Sequence, residues 1–353
     1  MRITVTGSVA TDHLMMFPGR ISDQLLADKL DRISVSFLVD DLVIRDGGAA
    51  ANIAYGLACL GHRPLLVAAV GADFQAYGRR LTELGVDTSG VHVSATRHTP
   101  RFLRTTDPVG NCLTSFYAGA MAEAADIDLA GVLRPRGGSD LVLVGAEAPA
   151  AMLRHTRACR TLGIPHIADP SQQLARLEGP EIRELVDGAS LLFTNEDERE
   201  LLLHKTGWRH ADVLRRVGTW ITTLGEKGSR VERADEPATD IPAVPVDTVA
   251  DPTGAGDAFR AGYLAALAEG LAPVRIALVS HDPVRCAQRG AAQAALALSA
   301  VGTQTYAPTP DRTHHLLTGT HGTGTHGTGS SPTGTYPTGT EYAPDTLPTG
   351  ERR

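Results

Sequence analysis

The run Asp251-Pro252-Thr253-Gly254-Ala255-Gly256-Asp257 carries the strongest chemical signal in the chain. It opens onto AFRAGYLAALAEG, where Phe259, Tyr263, Leu264 and Leu267 fall at helical spacing. Free backbone N–H groups and the positive end of the helix dipole make such a start an anion site. Gly254 and Gly256, on either side of Ala255, let a phosphate approach the main chain closely. A carboxylate at that place repels a phosphate. Asp257 therefore makes chemical sense as a general base, taking a proton from a hydroxyl that attacks the phosphate. The plain alternative is a capped helix start with no chemistry.

Three further patterns could serve the same reaction. Gly47-Gly48 precedes Ala49-Ala50-Ala51-Asn52. Adjacent glycines permit hinge dihedrals, and an Asn one turn into the next helix can donate to and accept from a sugar hydroxyl. Asn195-Glu196-Asp197-Glu198 ends an apolar run, where α/β sheets face their ligand crevice. Asn195 could touch a phosphate and Glu198 could reach a Mg²⁺ through water. Thr222-Thr223-Leu224-Gly225-Glu226-Lys227-Gly228 is a Gly-rich turn that lacks the P-loop pattern. Each has a structural alternative: a turn before a buried Asn, an Asn cap with a solvated acidic start, and an ordinary β-turn.

The elements that must position these groups alternate along the chain. Apolar runs at 3–5, 65–70, 140–145, 164–168, 190–194 and 220–224 predict strands. Helical patterns cover 49–61, 73–85, 149–162, 179–188, 196–205 and 210–217. Strands that are apolar throughout and separated by helices predict a parallel sheet covered on both faces. Two segments break the rhythm. Residues 33–39 alternate, which predicts a half-exposed antiparallel strand. Residues 101–117 predict a hairpin turning at 107–111. Phe102 and Phe116 are each seven residues from Val109, so a symmetric hairpin makes them cross-strand partners. Facing aromatics on a small sheet suit a flat purine; the alternative is an aromatic pair packed on the main domain.

Composition limits the rest. Of 353 residues 42% are hydrophobic and 21% charged, ordinary for a globular protein. The net charge is −7 with no basic run, which disfavours a nucleic-acid partner. No long apolar stretch opens the chain or interrupts it, so a cytoplasmic protein without a membrane partner is expected. The four cysteines are far apart, which argues against zinc or disulfide frameworks. Thr-Gly pairs recur at 318, 323, 328, 333 and 338, and residues 307–353 are expected to be a disordered tail. A formal G-x-G-x-x-G at Gly322, Gly324 and Gly327 has no strand before it and no apolar helix after it.

A di-glycine before an Asn, an N-x-x-E and D-P-T-G-A-G-D, in this order and spacing, resemble the PfkB/ribokinase family of sugar and nucleoside kinases. The resemblance implies a three-layer α/β/α sandwich with a mostly parallel central sheet and a small antiparallel lid. Residues 1–306 would be the kinase domain, with lid segments at about 13–46 and 97–118. GSVATDHLMMFPGR (7–20), SVSFLVDDL (34–42), DPSQQLARL (169–177) and LLLHKTGW (201–208) look like the adenosine kinases of actinobacteria. That narrower likeness implies transfer from ATP with Mg²⁺ to the adenosine 5′-hydroxyl, potassium as a further candidate ion, and a homodimer through the lid. Asp257 would be the base. Asp12 would hold the ribose hydroxyls with Gly48 and Asn52, while Ser8 and Ser36 line the nucleoside pocket. Phe102 and Phe116 would contact the adenine, with Gln172 and Gln173 nearby. Asn195, Thr223, Gly225, Gly228 and Gly256 would serve ATP. Two departures from the family stand out: 280–285 reads as an insertion, and the C-terminal helix is expected to be absent. A ribokinase-like sugar or other nucleoside kinase, and a non-catalytic nucleoside-binding scaffold, are the alternatives.

Overall fold

The computed structural model describes residues 1–25, 34–270 and 282–318. Its strands are, in chain order, β1 Ile3–Thr6, β2 Ala10–Met16, β3 Asp41–Gly47, β4 Leu65–Val67, β5 Ala69–Gly71, β6 His92–Ser94 and β7 Arg101–Thr106. They continue with β8 Cys112–Tyr117, β9 Leu141–Val144, β10 His166–Ala168, β11 Leu191–Asn195, β12 Thr219–Thr223, β13 Ser229–Glu232 and β14 Thr239–Ile241. The helices are α1 Ala49–Cys59, α2 Gln75–Glu83, α3 Leu129–Leu133, α4 Pro149–Leu162 and α5 Gly179–Val186. After them come α6 Glu196–Thr206, α7 His210–Leu214, α8 Ala255–Glu269, α9 Pro283–Leu298 and α10 Pro310–Thr318.

The large sheet runs β14-β13-β12-β11-β10-β9-β1-β4. From β4 to β12 every pairing is parallel, and β13 and β14 close the edge antiparallel. Its middle strands are buried on both faces, which is why they read as unbroken apolar runs. Ile53 and Leu57 of α1, Phe259 and Leu264 of α8 and Ala287 of α9 cover one face. Leu133 of α3, Met152 of α4, Ile182 of α5 and Leu202 of α6 cover the other. Three layers result, with the carboxyl ends of the parallel strands on one rim.

A second, four-stranded sheet runs β3-β2-β7-β8. The hairpin of β7 and β8 pairs Phe102 with Phe116 directly. The other lid strand differs from expectation. Residues 34–39 are not a strand, and Ile33 lies outside the described residues. The strand is β3, paired with β2 along its whole length. Alternation in 34–39 reflects which side chains are covered (Phe37 packs edge-on to Phe17 at 4.9 Å), whereas pairing is a backbone property. The charged and exposed residues of DLVIRDG hide β3 from a periodicity reading.

The chain end also differs. Residues 310–318, expected inside a structureless tail, form α10 and lie against α9. Buried Gln293 donates to the hydroxyl of buried Thr313, and Leu316 packs on the core. So short and polar a segment, next to a Thr-Gly repeat, gives no periodic signal; tertiary contact makes the helix. Residues 319–353 and 271–281, which include part of the expected insertion, lie outside the described residues; Asp282 caps α9 through Val284 N and Arg285 N. Among the described residues no helix is long and apolar enough to cross a membrane.

A chain ending at residue 306 is expected to unfold at a lower temperature than one ending at 319. Gln293 would lose its acceptor, at a cost of about 1–3 kcal/mol. Thermal melts of the two truncated chains check this, and equal midpoints would show that α10 adds nothing.

Candidate active site

Asp257 stands in the first turn of α8. Gly254 precedes that turn with φ 79°, a left-handed conformation that turns the loop into the helix, and a Cβ there would meet Thr303 Cγ2 at 2.8 Å. The amides of 255–257 are thus first-turn donors with no partner within the helix. Asp257 Oδ2 accepts a 2.8 Å hydrogen bond from Asn52 Nδ2, so α1 and α8 are joined at the carboxylate itself. Burial pushes the Asp257 carboxyl up to about 6. Arg260 and the Asn52 bond oppose the rise, and the charges of Asp169 and Asp12 add to it.

The strongest charges beside Asp257 come from residues that the motifs did not single out for a role. Arg260, one turn along α8, meets Asp169 at 2.6 Å through both Nη2 and Nε. Its Nη1 donates to the carbonyl of Gly256 at 3.0 Å. Both side chains are buried, and the guanidinium lies 5.4 Å from the Phe193 ring centre. Two sequence signals were available: an Arg three residues after Asp257 in an otherwise apolar helix, and an Asp just past the end of β10.

Two cavities meet at the start of α8. A polar one of about 450 Å³ is lined by Asp257, Arg260, Gly254, Glu198, Asn195 and Ser171 among others. An apolar one of about 740 Å³ is walled by Val244, Val246, Phe259, Ala291, Ala295 and Leu298 among others. Thr223, Gly225 and Gly256 border both, and Gly228 and Ala255 border the apolar one. The apolar wall combines the segment after β14 with one face of α9, a pairing that no local motif announces.

Asn195 and Glu198 take the capping alternative and line the polar cavity as well. Asn195 Oδ1 accepts from Glu198 N, and Glu198 Oε2 accepts from Asn195 N, both at 2.8 Å. Burial raises the Glu198 carboxyl.

On the other side of Asp257 the small sheet presents a row of directly opposed residues: Arg45, Asp12, Phe102 and Phe116. Opposed residues share a face. Arg45 of that row reaches Asp251, just before α8, so that face looks toward α8. Burial pushes Asp12 up to about 6, with Arg45 opposing and Asp251 adding. Arg45 reaches Asp251 at 3.3 Å, and Asp251 also accepts from Thr253 N and Gly302 N. One carboxylate thereby ties the small sheet to the D-P-T-G-A-G-D turn. Gly48, with φ 96°, caps α1 where a Cβ would stand 2.6 Å from Ser8 O.

Several other expected contacts are placed differently. Ser8 Oγ accepts from Ala49 N, so its hydroxyl fastens the start of α1. Asn52 spends its amide on Asp257 and on Gln304, whose Nε2 donates to Asn52 Oδ1 at 2.8 Å, leaving little for a sugar. Ser36 is exposed on the 34–39 segment and borders neither cavity. Gln172 is exposed and accepts from Ser171 Oγ, whereas Gln173 is buried with its Oε1 unpartnered among the described residues.

The model of the pfkB family carbohydrate kinases matches residues 6–310. A nucleoside kinase of Methanocaldococcus jannaschii is 29% identical over 313 residues, covering 88% of this chain and 95% of that protein. The ligand-free structure of Burkholderia thailandensis nucleoside kinase is 32% identical with a TM-score of 0.77, over 89% of this chain and 99% of that one. The same kinase in complex with inosine superposes with a TM-score of 0.75 at 31% identity, over 91% and 99%. With the family matched over most of its length and a carboxylate set in a glycine-turned helix start, this chain belongs to the pfkB family of carbohydrate kinases.

Proposed function

We propose that this chain transfers the γ-phosphoryl group of ATP to the 5′-hydroxyl of a nucleoside, with adenosine as the specific substrate and Asp257 as the general base. The observation that carries the reading is the position of Asp257. It lies between a polar cavity at a helix N-terminus and the face of the small sheet that bears Asp12, Phe102 and Phe116. Two opposed aromatics beside a carboxylate offer a stacking surface for a purine and an acceptor for ribose hydroxyls. The inosine complex of the Burkholderia kinase supports a purine nucleoside as the substrate class.

Asn52 holds one oxygen of Asp257, and the other is left to take the proton of the attacking hydroxyl. The first-turn amides of α8 would take up charge as the phosphoryl group moves. Arg260, held by Asp169, keeps a positive charge on the wall of the same cavity. Among the described residues no three carboxylates cluster as a direct metal site, and Glu198 on that wall is the residue that would hold a hydrated Mg²⁺ through water. Bound there, the ion would neutralise charge on the β- and γ-phosphates. The adjoining apolar cavity suits the adenine of ATP, and Thr223, Gly225 and Gly256, which border both cavities, would lie beneath the phosphates.

The small sheet also supports a partner. On the face away from Phe102, Leu42 is 52% exposed, Ile44 57%, Leu113 44% and Tyr117 42%. So much apolar surface on one sheet face calls for cover, and a second copy of this chain supplies it.

Asp257→Asn is expected to lower kcat by about 10²-fold or more while folding is retained. The kcat/KM of the native enzyme should fall as pH drops through about 6, where Asp257 and Asp12 take up protons. Near-native turnover of the variant in a coupled kinase assay would remove Asp257 as the base. In the same assay Phe102→Ala removes one stacking surface. It should raise the KM for adenosine about tenfold and leave that for ribose nearly unchanged. Ribose outcompeting adenosine and inosine would reject a nucleoside substrate. Sedimentation equilibrium should give a dimer for the native chain and a monomer for Ile44→Lys; a monomeric native chain would overturn the partner assignment.

A further inference from the structure

Behind Asp257, a line of buried polar side chains continues from Asn52 to Gln304 and Tyr77, which have no part in the transfer described above. Asn52, Gln304 and Tyr77 are all under a tenth exposed. Asn52 Nδ2 donates to Asp257 Oδ2, and Gln304 Nε2 donates both to Asn52 Oδ1 and to the Tyr77 hydroxyl. The Tyr77 hydroxyl in turn donates to the carbonyl of Gly47 at 3.0 Å. Arg80 donates to Gln304 Oε1, and its Nε donates to Asp46 Oδ2 at 3.0 Å. Asp46 and Gly47 end β3, the strand that runs into the Gly47-Gly48 pair.

The chemistry of Arg80 fixes the sense of this line. A guanidinium only donates, so the Gln304 group that faces it must be the carbonyl oxygen. The Gln304 amide nitrogen then faces Asn52, which obliges Asn52 to turn its oxygen inward and its nitrogen toward Asp257. Reversing either amide would set donor against donor or acceptor against acceptor, at cost because both amides are buried.

We propose that Gln304 is a positioning residue for phosphoryl transfer: it relays the orientation set by Arg80 through Asn52 to the carboxylate of Asp257, and ties that orientation to the root of the small sheet through Tyr77. The inference rests on Asp257 acting as the base. Its content is directional. A donor on Oδ2 favours the ionised carboxylate and leaves Oδ1 as the oxygen that accepts a proton. The other groups that interact with Asp257, namely Arg260 on α8, Asp169 after β10, Asp12 on β2 and buried Tyr306, belong to other contacts and are not part of this line.

Gln304→Glu has nearly the same shape but only accepts. Asn52 must then turn its nitrogen toward residue 304 and its oxygen toward Asp257, an arrangement relieved when Asp257 holds a proton. The acidic limb of kcat/KM is therefore expected to move up by about one pH unit or more, because the carboxylate no longer receives a charge-assisted hydrogen bond. Turnover should recover toward the native value on the alkaline plateau. Arg80→Met, which frees the Gln304 amide to reverse, should move the limb in the same direction by less. Arg79→Met, at an exposed neighbour, should not move it. The measurement is a pH profile of kcat and of kcat/KM for all four proteins, with circular dichroism to confirm folding. A purely structural role would lower stability or activity evenly across pH and leave the limb in place. An unmoved limb in folded Gln304→Glu, or in folded Arg80→Met if the first variant does not fold, overturns the inference. A native profile with no limb, or an active Asp257→Asn, overturns the base assignment and this inference with it; that failure shows in proteins with Gln304 intact.

Discussion

The hydrogen bond between Asn52 and Asp257 joins the two helices that make the site, and the fold around it is arranged so that it can exist. A carboxylate at a helix N-terminus is favourable for the helix. The same carboxylate is unfavourable for a phosphate that uses the same amides, and burial raises its cost further. Asn52 and Arg260 offset that cost from opposite sides: a neutral donor on one oxygen, and a positive charge held a turn away by Asp169. Neither partner acts alone. Arg260 needs Asp169 because a buried guanidinium without a counter-charge is expensive, and Asn52 needs Gln304 because a buried amide oxygen must be satisfied.

From that junction the molecule divides its labour between two sheets. The parallel sheet brings loops to one rim: Asp169 and Ser171 after β10, Asn195 at the end of β11, Thr223 at the end of β12. These border the polar cavity or support its wall. The four-stranded sheet supplies the other side, a row of Asp12, Phe102 and Phe116. Asp251 connects the two, receiving Arg45 from the small sheet while it holds the amides of Thr253 and Gly302. Arg45 on β3 is thereby tied to the turn that precedes α8. Gly48 occupies a conformation that side chains resist, and a Cβ there would stand 2.6 Å from Ser8 O.

Much of this was legible in the sequence. The parallel strands announced themselves as apolar runs because both their faces are covered, and α4 spans the expected 149–162. The D-P-T-G-A-G-D turn specified its own geometry, since glycine spacing and a following apolar helix are local properties. Phe102 and Phe116 could be paired by counting from the turn, because hairpin register follows loop length. What a single chain determines by itself is whatever depends on neighbours in sequence.

The tertiary structure decided what depends on neighbours in space. The strand expected at 33–39 is absent from its described part, 34–39, and β3 is the strand instead, because pairing is settled by which backbone is adjacent. Ser8 and Asn52 were expected on the substrate; packing put their hydrogen-bonding groups against Ala49 and Asp257. The apolar cavity combines residues around 244–249 with α9, and α10 exists because α9 offers Gln293 as a partner. The line from Arg80 to Asp257 joins residues from four separate segments. No spacing rule connects Gln304 to Asn52. Only folding brings the two amides together, and only then does hydrogen-bond polarity dictate how each must point.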